Sequence, residues 1–248
     1  MGFKNLCISS LLLFACTLSG SPAEQNAQTD GKTAPAANDN AIVFGNKILK
    51  MDPSGRIVCV AKDGHELFTC GLYFWAVENG KSVWDWHVRN LDRKKTKFSR
   101  VGQKYSWEFW YACPGKPSFC AWQRALEILP DGRLAVTVKF NFPEKTKELE
   151  FRTTSANLSL PAALWNGKKA DLGKKKVILD EKIDVWERNQ RVWIFGKDDP
   201  AQQFSVEIPT AKNSIIWLKY NQNSREYTVS FARPTFKGEK ITFIIDLR

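Results

Sequence analysis

Apolar and polar residues alternate with a period of two through much of this chain, and that alternation is the tightest constraint on what it can fold into. Tyr105, Trp107, Phe109 and Tyr111 fall on one side of a run whose other side carries Ser106, Glu108 and Trp110. The next run, Phe119 to Leu129, sets Phe119, Ala121, Gln123, Ala125 and Glu127 against Cys120, Trp122, Arg124, Leu126 and Ile128. Leu134, Val136, Val138 and Phe140 repeat the pattern. Successive side chains of a strand point to opposite faces, so each run reads as a strand with one packed face. No stretch sustains a 3.6-residue period. Helix is expected to be scarce, with a single turn opening at Pro161-Ala162-Ala163-Leu164-Trp165.

Turn signals cut the chain at short intervals: Asp52-Pro53-Ser54-Gly55, Asp63-Gly64, Glu78-Asn79-Gly80-Lys81, Pro130-Asp131-Gly132-Arg133 and Asn166-Gly167. Proline presets one backbone angle and glycine permits the positive one, so these read as connections between antiparallel neighbours. Roughly fifteen short strands of this kind predict an all-β fold, a large antiparallel two-sheet β-sandwich with little helix. No repeat of constant period suggests a propeller.

The segment Cys70 to Arg89, CGLYFWAVENGKSVWDWHVR, is the densest in aromatic residues. Read as a hairpin about Asn79-Gly80, its second strand runs from Ser82 to Arg89. Alternation then places Asp85, His87 and Arg89 on one face and Trp84, Trp86 and Val88 on the other, so that one face packs and the other can meet a ligand.

Residues 1–23 read as an export signal: Lys4, an apolar run from Leu6 through Leu18, and small residues ending in Ser21-Pro22-Ala23. The run is shorter than the about 20 residues that span a bilayer. Leu13-Phe14-Ala15-Cys16 offers a second reading, a lipobox in which Cys16 becomes a lipidated N-terminus. Either reading places the domain outside the cytoplasm, in the periplasm, on the outer membrane or beyond. Residues 24–40, EQNAQTDGKTAPAANDN, have no large apolar side chain and read as a flexible linker. Residues 41–248 then form a single sandwich domain.

The formal net charge is +11, and removing the signal takes away Lys4 alone. A basic exported domain favours anionic neighbours such as acidic polysaccharide or the cell envelope, although scattered Lys and Arg also keep an edge-rich β-protein soluble. Nucleic acid is not an expected partner, since no recognition helix or RNA-binding signature is present. Cys59, Cys70, Cys113 and Cys120 remain after signal removal, and three pairings are open to them in an oxidising compartment. Cys113 with Cys120 could close a hairpin neck, and Cys59 with Cys70 lie on successive strands. Their spacing lacks the C-x-x-C knuckles of structural zinc, so no metal or cofactor is expected.

Only two histidines occur, and no G-x-S-x-G is present, which excludes the common serine-hydrolase signature. His65 lies in the Asp63-Gly64 turn and reads as solvated. His87, flanked by Asp85 and Arg89, is the stronger candidate for acid-base work, with the solvated strand face as its ordinary alternative. Glu108 lies between Trp107 and Phe109, which could desolvate it; pairing with Arg124 or exposure to solvent is the plainer outcome. Ten tryptophans are more informative. Trp84, Trp86, Trp107, Trp110 and Trp122 could pack the core, or some could present flat apolar surfaces to the C–H faces of sugars beside His87, Arg89 and Arg124.

The segments ILKMDPSGRIVCV, ELFTCGLYFWA, ALEILPDGRLAVTVKF and ALWNGKKADL, between Ile48 and Leu172, resemble the β-supersandwich domains found beside carbohydrate-active enzymes and in the galactose-mutarotase-like superfamily. The resemblance covers about half the chain and implies a carbohydrate-associated sandwich. His65 and His87 do not match the contexts of the mutarotase histidines, and no asparagine-histidine motif is present, so epimerase activity is not carried over. The leading expectation is an exported, non-catalytic glycan-binding domain. Two alternatives stand beside it: a lyase, epimerase or hydrolase using His87 with Glu108 or Asp85, and an envelope domain that binds another protein.

Overall fold

Antiparallel strands fill the computed structural model, which describes residues 40–113, 116–188, 192–209, 215–232 and 240–248. The expected export signal, Cys16 and all of the linker but Asn40 lie outside the described residues.

One nine-stranded sheet, A, holds β1 (Ala41–Phe44), β2 (Lys47–Met51), β3 (Ile57–Ala61), β4 (Glu66–Glu78), β10 (Leu149–Pro161), β17 (Glu226–Ala232), β16 (Ile215–Asn221) and β13 (Asp184–Arg188) in that spatial order, with β5 (Lys81–Val83) beside β4. The other, B, runs β12 (Lys176–Ile178), β11 (Lys169–Asp171), β14 (Val192–Phe195), β15 (Phe204–Glu207), β18 (Lys240–Asp246), β9 (Leu134–Phe140), β8 (Lys116–Ile128), β7 (Lys104–Cys113) and β6 (Lys97–Val101). The expected all-β, two-sheet antiparallel architecture is therefore present. Helix is confined to two four-residue turns among the described residues, α1 (Trp86–Arg89) and α2 (Ala162–Trp165), the latter where the sequence placed it.

The alternating residues meet between the sheets. Phe68 of sheet A lies 4.8 Å from Phe204 of sheet B, Phe231 lies 4.6 Å from Phe243, and Phe74 meets Tyr111 edge-on at 5.5 Å. Tyr105, Trp107, Phe109 and Tyr111 all face this core, as the alternation requires. In β8 the phase switches. Phe109 pairs with Trp122 and Trp110 with Cys120, so Ala121 is a bulged extra residue and both Ala121 and Trp122 turn inward. β10 runs from Leu149 to Pro161 and leads directly into α2, while β11 and β13 are strands that the pattern did not reveal.

The main departure lies at Trp84 to Arg89. Only Lys81–Val83 form a strand, and α1 replaces the remainder. One edge of β4 limits how far β5 could extend. Its other edge is occupied by β10 from Thr69 to Glu78, so β3 and β5 must share what remains. Extending the β5 register from Val83 opposite Ala76 would set Arg89 opposite Cys70, a place held by Ile57. The chain leaves the sheet after Val83, and Trp86 drops into the core with its Nε1 donating to Glu78 at 2.5 Å. The expected separation of Asp85, His87 and Arg89 from the tryptophans does not form.

The cysteine expectation is also corrected. Cys59, Cys70 and Cys120 carry free thiols. Cys59 lies opposite Phe68 and Cys70 opposite Ile57, so the two are diagonal neighbours, about 7 Å apart where a disulfide needs Cβ atoms about 4 Å apart. Cys113 pairs with Lys116 while Cys120 faces Trp110, a stagger of three residues or about 10 Å along the hairpin.

Candidate functional site

Five separate segments converge around a cavity of about 250 Å3. Its wall is aromatic: Phe109 and Trp122 stack at 3.6 Å with 8° between their planes, and Tyr111 accepts a 3.0 Å hydrogen bond from Trp122 Nε1. Burial pushes the Tyr111 hydroxyl up to about 12, so it stays protonated. Leu72 from β4 and Leu91 beyond α1 complete the apolar lining.

The polar groups come from three directions. Arg124, only 4% exposed, projects from β8 beside the stack, its guanidinium carbon 5.0 Å from the Trp122 centroid and 5.8 Å from that of Phe109. Its Nη1 donates to the Gly55 carbonyl at 2.7 Å. Burial pulls its pKa down, yet a guanidinium remains cationic at neutral pH. Arg56 and Arg93 stand exposed at the rim, Arg56 with Glu66 at 3.5 Å. His87 enters from α1, its ring 5.4 Å from Phe74, and burial lowers its pKa below the ordinary value against weaker opposing hydrogen bonds and Asp85. It is therefore neutral at pH 7.

Gly55 makes this geometry possible. Its φ is +89°, and a Cβ there would sit 2.2 Å from Phe109 Cζ. Only glycine lets the 52–55 turn lie against the aromatic wall and offer its carbonyl to Arg124. Trp107 fastens the same turn, its Nε1 donating to the Asp52 carbonyl at 3.0 Å.

Of the residues singled out by sequence, His87, Trp122 and Arg124 are brought together here. The others are dispersed. Trp86 and Trp107 are sealed in the core at 0% and 1% exposure. Trp84 is 56% exposed and stacks on Trp75 at 4.4 Å, while Trp110 is half-buried with Lys97 Nζ 5.8 Å from its ring centre. The five tryptophans do not form one concave surface. Arg89 pairs with Asp85 at 3.1 Å on the exposed side of α1. Glu108 faces away from His87, on the outer surface of sheet B, where Gln123 Nε2 donates to it at 3.3 Å and Lys97 stands 3.7 Å away. It lines a different groove, of about 570 Å3, with Lys104, Lys139 and Lys240. Phe98, Trp107 and Arg124 also border that groove, but among the described residues the ion-pair partner of Glu108 is Lys97 rather than Arg124, and the expected His87–Glu108 pair is not assembled.

Arg56, Arg93 and Tyr111 were not foreseen as site residues. Arg124 had left a signal, a single charge in the otherwise apolar row Trp122, Leu126, Ile128. An exposed pair was also missed: Trp186 and Trp217 are cross-strand partners on the outer face of sheet A, 57% and 41% exposed, with Trp217 Nε1 donating to Asp184 at 2.6 Å. Among the described residues, no group of three or more His, Cys, Asp or Glu side chains converges to hold a metal ion, and no helix is long and apolar enough to cross a membrane.

These two sheets define a large antiparallel β-sandwich. The fold is similar to part of an α-N-acetylgalactosaminidase, NagBb from Bifidobacterium bifidum: its GalNAc complex matches with a TM-score of 0.53 at 9% identity, and its Gal-NHAc-DNJ complex with 0.54 at 11%. Each match covers 83% of this chain but 35% of the glycosidase, so the chain spans about a third of that enzyme's length. At such identity the likeness is one of fold. No family model matches the sequence, and no curated protein matches it.

Proposed function

We propose that the protein is an exported, non-catalytic carbohydrate-binding β-sandwich of the supersandwich kind, holding a glycan at the cavity between the turn before β3, β4, β7, β8 and α1. The observation that carries this reading is the convergence of His87, Trp122 and Arg124 on the flat Phe109–Trp122 stack. Stacked rings suit the C–H face of a sugar, and a few polar groups around them fix its hydroxyls. The fold shared with part of a glycosidase supports the carbohydrate association. The non-catalytic reading is supported by the position of Glu108 and Asp85, neither of which lines the cavity with His87. Export rests on residues 1–23, with release after Ala23 or retention through a lipid on Cys16 as its two outcomes, which the mass of the mature N-terminus separates.

The test is a glycan array probed with the mature protein, followed by product analysis on every glycan bound. Binding without turnover, weakened by Trp122→Ala, is the expected result. Turnover abolished by His87→Ala would replace this reading with the enzymatic one. A stable co-purifying protein with no glycan bound would replace it with an envelope interaction domain.

A further inference from the structure

We infer that the sugar held in this cavity carries an oxyanion, a carboxylate or a sulfate ester, seated on Arg124; the inference rests on the glycan reading above. Arg124 carries an unbalanced charge. Arg124 has five N–H donors, and among the described residues its hydrogen-bond acceptor is the Gly55 carbonyl alone, with no carboxylate within ion-pairing distance. A buried ion costs several kcal/mol unless it is paired and its hydrogen-bonding capacity is filled. Holding the 52–55 turn does not require that cost, because a neutral amide at this position could donate to the same carbonyl. What the charge adds is attraction for an anion, and the guanidinium's planar fork matches the paired oxygens of carboxylate or sulfate.

The surroundings agree with this. No carboxylate lines the cavity among the described residues, while Arg56 and Arg93 stand at its rim. Cations at the mouth and a desolvated one at the floor draw a negative group inward. The aromatic wall distinguishes a sugar acid from a bare ion, which would leave the Phe109–Trp122 stack without a partner. The volume is the share of about eight waters, enough for one ring and its substituent, so a longer chain must continue outside.

The experiment presents several backbones, a galactan, a glucan and a xylan, each as neutral, uronate-bearing and sulfated oligosaccharides of equal length, and measures affinity by calorimetry. At least one acidic form should bind about tenfold or more tighter than its neutral counterpart, the gain of one charge-assisted hydrogen-bonding group. Uronate and sulfate arms identify which oxyanion is held. Arg124→Gln should remove that preference while leaving the weaker neutral binding in place. Should that variant fail to fold, Arg93→Gln at the exposed rim supplies the second measurement. It should weaken acidic binding several-fold and flatten its salt dependence.

Equal affinity for neutral and acidic forms, or acidic binding indifferent both to salt and to these variants, would overturn the inference while leaving the glycan reading intact. Binding of none of these oligosaccharides would overturn both.

Discussion

Lys47 and Arg124 are both cations buried in this sandwich, at 1% and 4% exposure, and they are treated in opposite ways. The Lys47 ammonium has three donors and three acceptors: the Leu247 carbonyl at 3.0 Å, Asn46 Oδ1 at 3.2 Å and the Pro200 carbonyl at 3.5 Å. Burial lowers its pKa, and Cys59, Asp199 and Asp246 push back. Arg124 has more donors, one acceptor and no carboxylate among the described residues, and it faces a cavity. Lys47 is closed off by its own chain; Arg124 keeps most of its donors without an acceptor among the described residues, beside a cavity.

The sharpest way to break this contrast is to replace each cation by methionine. Lys47→Met leaves the buried Leu247 carbonyl and two part-buried acceptors without their donor, and should cost about 2–4 kcal/mol in urea unfolding. Arg124→Met removes an uncompensated charge and leaves one carbonyl, so its stability should change by about 1 kcal/mol or less, in either direction. Equal losses would mean that Arg124 is as structural as Lys47. Gly55→Ala should come next in size, about 1–3 kcal/mol, because it combines a positive φ with a collision against Phe109. It should lower glycan affinity as well, which a purely local strain would not do.

Acid should separate the two ends of the molecule. His87 titrates below its ordinary value when folded, so as pH falls past about 6.5 the unfolded chain takes up the proton first and stability declines. The Asp246 carboxyl, beside Lys47, is depressed first by its hydrogen bond from Arg248, so its contribution is complete above about pH 4 and is lost only as pH falls further. Thermal melts from pH 7 to 3 should show two phases, and His87→Gln should erase the upper one alone. The smallest effect expected is none at all. Burial raises the Cys59 and Cys70 thiols to about 12, so both should resist a thiol reagent until the protein is unfolded, and reduction should not change the native mass.

The parts of the fold visible in the sequence were those governed by local chemistry. Alternation in β7 and β9 and the turn at Asn79-Gly80, where φ is +48° and +78°, needed no knowledge of distant neighbours. Competition for an edge is another matter. That β3 and β5 want the same side of β4 depends on β10, some seventy residues later, and nothing in SVWDWHVR announces it. The bulge at Ala121 hides similarly, since only the pairing with β7 shows where the phase slips. β13 was missed because Asp184 to Arg188 has weak alternation of its own, and Trp186 went with it. The site was half legible: Arg124 stood out in an apolar row, while Arg56, Arg93 and Tyr111 join it only through tertiary convergence.

The position of β18 carries a consequence for how the molecule assembles. It lies between β9 and β15, and Thr242 meets Thr137 across 105 residues of sequence. Until residues 240–246 have been synthesised and docked, sheet B exists as two half-sheets with bare edges and no shared ladder. Folding must wait for a contact of very high sequence separation, which makes it slow. During that delay the two exposed edges are open to pairing with other chains.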